Sequence, residues 1–155
     1  LLEKMTVQLA MYQPDMPPNL GSMVRLCAAT AVPLHIIEPC GFPLDDKRMR
    51  RVAMDYLDHV TIMRHASWVH FKQETSERVI LLTTKTEQSF TQFDFHQGDV
   101  LLLGRESAGA PEEVHQAVDA HITIPMRGDA RSLNVVQAAT MVLGEALRQT
   151  RGFLT

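Results

Sequence analysis

The chain has 155 residues, 45% hydrophobic and 21% charged, which suits one domain over residues 1–155 with a single core. Its formal net charge of -3 argues against a protein that coats nucleic acid nonspecifically, because such binding depends on neutralising phosphates. No apolar run approaches the roughly 20 residues of a membrane helix, and Cys27 and Cys40, without a CxxC pair or patterned histidines, indicate neither a disulfide framework nor a zinc site.

The expectation is therefore a cytoplasmic protein with packed thiols, no membrane contact and no metal. Residues 1–4 read as an extension ahead of Met5. In chain order, Val7 to Tyr12 is a predicted strand, stopped by Pro14, Pro17 and Pro18, and Asn19 is a suitable cap for a helix to about Thr30. Leu34 to Glu38 is a second strand, and Asp45 caps a helix to about Tyr56. Val60 to Met63, Val79 to Thr84, Val100 to Leu103 and Ile122 to Met126 read as further strands. A short helix spans Ser67 to Glu74, and Pro111 opens one reaching about Val118. Ser132 is the expected cap of a last helix whose Leu133, Val136, Ala139, Val142, Leu143, Ala146 and Leu147 recur along one face. This alternation predicts an α/β fold with a mostly parallel sheet covered on both faces.

Three polar blocks follow strand-like runs: Asn19-x-Gly21-x-x-x-Arg25, Leu101 to Gly109, and Ile124 to Gln137. Loops beyond the carboxyl ends of parallel strands form the ligand crevice, so three decorated ends suggest one shared site. The first strand-helix turn has a single glycine, Gly21, and no GxxxxGK[ST] string occurs, which argues against ordinary dinucleotide binding and P-loop chemistry. Two residues separate Gly104 from Ser107, where a hydrolase elbow would have one. Lys47, Arg48, Arg50 and Arg51 put four cations into five residues, by themselves readable as a solvated helix face.

Taken in order, the blocks resemble the SPOUT methyltransferases, which carry NxGxxxR, then G-x-E-x-x-G, then IPM followed by S-[LM]-N. The resemblance extends from about Met5 to Gln149 and is closer to the minimal bacterial tRNA wobble-nucleotide 2′-O-methyltransferases, through PPNLGSMVRLCA, LHIIEPCGFPLDDKRMRRVAMDY and RSLNVVQAA. It implies a C-terminal trefoil knot, a homodimer with its cleft near the interface, and S-adenosylmethionine as cofactor. It further implies transfer of a methyl group to the ribose 2′-hydroxyl of nucleotide 34 in the anticodon stem-loop of leucine tRNAs.

Carried onto this chain, the resemblance places cofactor contacts at Leu82, Gly104, Ile124, Ser132 and Leu133, and a catalytic role at Arg25. Asn19, Gly21, Glu106 and Asn134 match supporting motif positions. Lys47, Arg48, Arg50 and Arg51, joined by Arg127, Arg131 and Arg148, become the RNA-binding surface. Subfamily members often carry an aromatic residue where this chain has Gly144 in the last helix, which leaves any contact made by that ring without its counterpart here. Alternatives left open are the same chemistry on ribosomal RNA or another tRNA position, and an RNA-binding module without turnover.

Overall fold

The computed structural model describes residues 5–129 and 133–155. The chain runs β1 (Gln8–Tyr12), α1 (Pro17–Thr30), β2 (Leu34–Ile37), α2 (Asp46–Ala53), β3 (Ile62–His65), α3 (Trp68–Glu74), β4 (Val79–Leu82), β5 (Val100–Leu103), α4 (Glu112–Ala117), β6 (Ala120–Ile122) and α5 (Val135–Thr150). The strands form one six-stranded sheet in the order β3-β2-β1-β5-β4-β6, and every adjacent pair is parallel. This agrees with the mostly parallel sheet expected from the alternating pattern.

Strand residues alternate between two apolar layers. Leu9, Met11, Leu34, Ile36, Ile80, Leu101, Leu103 and Ile122 pack with α1, α2 and α5, while Ala10, Tyr12, Ile37, Val79, Leu81, Val100 and Leu102 face Trp68, Phe71 and Val114 of α3 and α4. Burial on both faces explains why β1, β2, β4 and β5 read as nearly unbroken apolar runs. The second layer holds a polar inclusion: His35 Nδ1 lies 2.8 Å from His65 Nε2, and His35 Nε2 lies 2.8 Å from Gln8 Oε1. An amide oxygen only accepts, so His35 donates from Nε2. Burial, helped by the neighbouring His65, pushes the His35 imidazole down to about 4.

Several sequence-predicted boundaries move. Helix α1 begins at Pro17 with Met16 as its cap, so Asn19 is not the cap; prolines fit the first turn, where their missing N–H groups would have no intrahelical partner. Its side chain is thereby released for a tertiary contact. Asp45 caps as expected, accepting from the Arg48 amide, and Ser67, expected as the first residue of its helix, instead caps α3 by accepting from the His70 amide; α2 ends at Ala53 and the chain continues to His59 as a 3-10 helix. Strand β3 lies two residues later than expected, because Arg64 is drawn into the sheet by a bidentate bond to Glu38 and His65 by its pairing with His35. Strand β6 is short: Thr123 leaves it to pair with Ser89, and Ile124, Pro125 and Met126 are loop. Asn134 caps α5, accepting from the Val136 and Gln137 amides, so Leu133 precedes the helix. Ser132, expected in that role, lies outside the described residues.

Both cysteines are free, and burial pushes the thiol of Cys27 up to about 12 and that of Cys40 to about 11. Among the described residues no helix is long and apolar enough to cross a membrane.

Candidate active site

The order of strands reverses direction between β1 and β5, since the chain fills one side of β1 first and then returns to fill the other. A parallel sheet opens a crevice beyond its carboxyl ends at such a point. A cavity of about 590 Å³ lies there, at the ends of β4 and β5, lined also by the start of α1, the segment after β6 and the start of α5.

Its walls combine apolar side chains with exposed main chain. Leu82, Leu103, Ile124, Leu133 and Ala138 give a hydrophobic slot, and the loop from Gly104 to Ala110 supplies a tight backbone edge. That loop closes on itself: Arg105 N–H donates to Gly109 O at 3.2 Å and Gly109 N–H to Arg105 O at 2.9 Å. Gly109 occupies the left-handed region at φ 65°. A Cβ on Gly104 would lie 2.7 Å from Gly109 C and 2.8 Å from Ala110 N, so only glycine fits this turn. On the opposite wall, Thr83 Oγ1 lies 2.9 Å from His115 Nε2 and accepts from the Lys85 amide, which fixes the chain leaving β4.

A directional chain of hydrogen bonds ties the loops together. Asn134 uses Oδ1 to cap α5, so its amide nitrogen is left to donate to Asn19 Oδ1 at 3.3 Å. Asn19 in turn donates through Nδ2 to Glu106 Oε1 at 3.2 Å. Asp15 N–H donates to Glu106 Oε2 at 3.3 Å, and the Ser107 hydroxyl donates to the Asp15 carboxylate. Burial, reinforced by contact with the Asp15 carboxyl, raises Glu106 above the ordinary carboxyl range. Hydrogen bonding from Glu106, and secondarily from Ser107, lowers Asp15. Arg105 does not join this chain; its guanidinium lies 5.4 Å from the centre of the Tyr12 ring and its Nε donates to Gly109 O.

The sequence-predicted residues divide clearly. Leu82, Gly104, Ile124 and Leu133 line the cavity together with Asn19, Glu106 and Asn134; Ser132 and Arg131 lie outside the described residues. Gly21 is absent from the lining. It lets α1 approach α2, since a Cβ there would sit 3.2 Å from Val52 O. Arg25 also does not line the cavity of its own chain: it is exposed on α1 with its guanidinium 5.9 Å from the centre of the Tyr56 ring.

On α2, Lys47, Arg50 and Arg51 are exposed, and Arg48 is half-buried over Phe42. Arg127, beside the cavity residue Met126, is paired with Asp129, and Arg148 on α5 with Glu145. Sequence reasoning missed Asp15, Thr83, Lys85 and His115. Only Asp15 carried a signal, as an acid inside the proline-rich turn that begins the first motif.

Comparison with known proteins bears on the family and the fold. The model of the SpoU rRNA Methylase family matches residues 6–144. A relative from Beijerinckia indica named tRNA (cytidine(34)-2′-O)-methyltransferase is 56% identical over 144 residues, covering 91% of this chain and 90% of that protein. A solved structure described as giving insight into 2-OH methylation of C/U34 on tRNA superposes with a TM-score of 0.85 at 38% identity, covering 94% of this chain and 96% of that one. The SpoU methyltransferase AviRb from Streptomyces viridochromogenes, solved in complex with the cofactor AdoMet, matches with a TM-score of 0.78 at 28% identity, covering 96% of this chain and 62% of that one.

Proposed function

The chain belongs to the SpoU rRNA methylase family, and from that premise we propose that it is a cytoplasmic, single-domain, homodimeric tRNA 2′-O-methyltransferase acting on nucleotide 34, with leucine tRNAs as substrates. The observation that carries this reading is the convergence of Leu82, Gly104, Ile124 and Leu133 on one cavity at the sheet's carboxyl edge. The names of the relatives support the substrate position. A C-terminal trefoil knot fits the way the later chain engages the segment after β4. Thr123 N–H donates to Gln88 O, Phe90 N–H donates to Thr123 O, and Gln149 of α5 bonds both Phe93 O and Phe95 N.

The residues fit S-adenosylmethionine on chemical grounds. Adenine needs a flat apolar slot and amide partners, which Leu82, Leu103 and Ile124 and the main chain around Gly104 provide. The tight turn at Gly104, closed to any Cβ, lets backbone rather than side chains form that edge. Bound there, the cofactor supplies a sulfonium-activated methyl group.

The protein's own task is alignment and charge placement. Leu133 and Met126 add exposed apolar side chains to the cavity lining. Arg25 is the group for the ribose hydroxyl or its adjoining phosphate. A guanidinium remains protonated, so it orients and stabilises charge and the proton leaves to another acceptor. Its place outside the cavity of its own chain fits a cleft completed by a second copy, and the exposed Met141 of α5 gives that copy an apolar surface. The cationic face of α2 grips the phosphate backbone.

The test is incubation of purified protein with total RNA and S-adenosylmethionine, followed by digestion and mass spectrometry. Ribose methylation at nucleotide 34 of leucine tRNAs is expected. Methylation of ribosomal RNA or of another tRNA position would replace the substrate, and no methyl transfer to any RNA would end the enzymatic reading. With tRNA as acceptor, Arg25→Lys is expected to lower turnover by about a hundredfold, the scale of losing one preorganised donor, with cofactor affinity retained.

A further inference from the structure

Two acids from separate loops meet beside the cavity. Asp15 belongs to the β1–α1 turn and Glu106 to the loop after β5, and the Asp15 N–H bond to Glu106 Oε2 at 3.3 Å sets their carboxyl groups beside each other, where each changes the other's hold on a proton. Ionised carboxylates only accept, so two in contact require a proton between them. The remaining partners are fixed donors: the Asp15 amide and Asn19 Nδ2 serve Glu106, and the Ser107 hydroxyl serves Asp15. Asp15 Oδ1 is buried and none of these fixed donors reaches it, which leaves room for a proton carried by Glu106.

Neither acid forms an ion pair among the described residues. The neighbouring cation, Arg105, is turned to Tyr12 and Gly109. From α1 the facing side chain is Asn19, itself held by Asn134 at the start of α5. Nor can Asp15 retreat. Gly41 packs behind it so closely that a Cβ there would lie 2.6 Å from Asp15 Cβ, and Gly41 N–H donates to Pro14 O at 2.9 Å.

We propose that Asp15 is a positioning residue: it shares one proton with Glu106, and this shared proton clamps the β1–α1 turn to the β5–α4 loop, holding Asn19 and Gly104 in the cavity wall. The cavity's role as the S-adenosylmethionine site rests on the reading given above. The proton resides on Glu106, which burial and Asp15 raise, while Asp15 stays ionised with Glu106 and Ser107 as its donors. Raising the pH until Glu106 loses it puts two negative charges in contact across the two loops. The clamp then opens and the cofactor edge at Gly104 is displaced.

Two readouts on the full chain test this. In carbon-detected NMR titration of side-chain carboxyls, Asp15 and Glu106 are expected to titrate in two separated steps, with Glu106 the later. Asp15→Asn is expected to move the Glu106 step to lower pH, because the repelling charge is gone and an amide donor replaces it. In calorimetry, wild-type affinity for S-adenosylmethionine is expected to fall by about tenfold, within the usual range of site-to-site coupling, as pH rises through the Glu106 step. Asp15→Asn is expected to flatten that dependence. Glu106→Gln, isosteric with the protonated acid, should flatten it as well and serves if Asp15→Asn does not fold.

An unchanged Glu106 step in Asp15→Asn would overturn the shared proton. Equal pH dependence of affinity in wild type and both variants would overturn the positioning role. Failure of wild type to bind S-adenosylmethionine at any pH, with the Glu106 step still shifted by Asp15→Asn, would instead refute the cofactor reading and leave the clamp standing.

Discussion

Replacing Gly104 by alanine probes the cavity wall at its least yielding point. The added methyl would meet Gly109 C at 2.7 Å, Ala110 N at 2.8 Å and Gly109 Cα at 2.9 Å, all main-chain atoms that cannot rotate away. Relief requires the two backbone bonds between Arg105 and Gly109 to lengthen or break. Each is worth about 1 kcal/mol net, and forced overpacking costs about 1–3 kcal/mol, so the total is about 3–5 kcal/mol. For a chain of this size each kcal/mol lowers Tm by about 2–4 °C. We expect Gly104→Ala to melt about 6–20 °C lower by calorimetry and to bind S-adenosylmethionine at least about tenfold more weakly by titration.

Gly144→Ala is the paired control, since a Cβ there meets nothing within 4 Å inside helix α5. It should gain about 0.5–1 kcal/mol from helix propensity alone. Opposite signs from one chemical change would separate close approach from propensity. The reasoning is refuted if Gly104→Ala melts at the wild-type temperature and binds the cofactor undiminished. Destabilisation by Gly144→Ala, with a smaller sedimenting species, would place Gly144 in the contact between two copies.

Neutralising Arg48 and Arg51 together should weaken tRNA binding and reduce the slope of log K against log salt by about 1 to 2, with cofactor affinity unchanged; an unaltered slope would return α2 to a solvated face. Asn134→Ala should cost about 1–2 kcal/mol of stability by chemical denaturation, because it removes the α5 cap along with the bond to Asn19. Asn134→Asp keeps an acceptor for the cap but has no donor for Asn19, so stability should hold while cofactor binding weakens; equal behaviour of the two variants would refute the linked roles. His35 titrates near 6.5 when unfolded and at about 4 when folded, so its contribution is present above that ordinary value and is lost as pH falls from there toward the folded value. Between about pH 7 and pH 5 the loss should be about 1–2 kcal/mol, and a denaturation series showing the same slope for His35→Gln as for wild type would reject that assignment.

What was legible in the sequence follows the range of the forces involved. Asp45 was readable as a cap because a cap bonds amides two or three residues away, all within one stretch of chain. The strands showed because burial on both faces writes continuous apolar runs, and those runs imply the parallel sheet and hence a site at its carboxyl edge. The ordered motifs added the family, and with it Leu82, Gly104, Ile124 and Leu133, four residues that meet at one cavity.

The tertiary structure decided where local preferences compete with distant partners. Asn19 has the chemistry of a cap, yet Pro17 starts the helix early and Asn19 spends its amide on Glu106, 87 residues away. Thr123 has the chemistry of a strand residue, yet it pairs with Ser89 and ends β6. Asp15 is an ordinary turn acid by sequence, and only the folded chain brings it against Glu106 with Gly41 behind it. Periodicity and capping depend on neighbours along the chain, so one sequence displays them. A carboxyl pair, a glycine's close approach and a lone arginine's distance from the cavity depend on which loops meet, and that is set only when the sheet has closed its order.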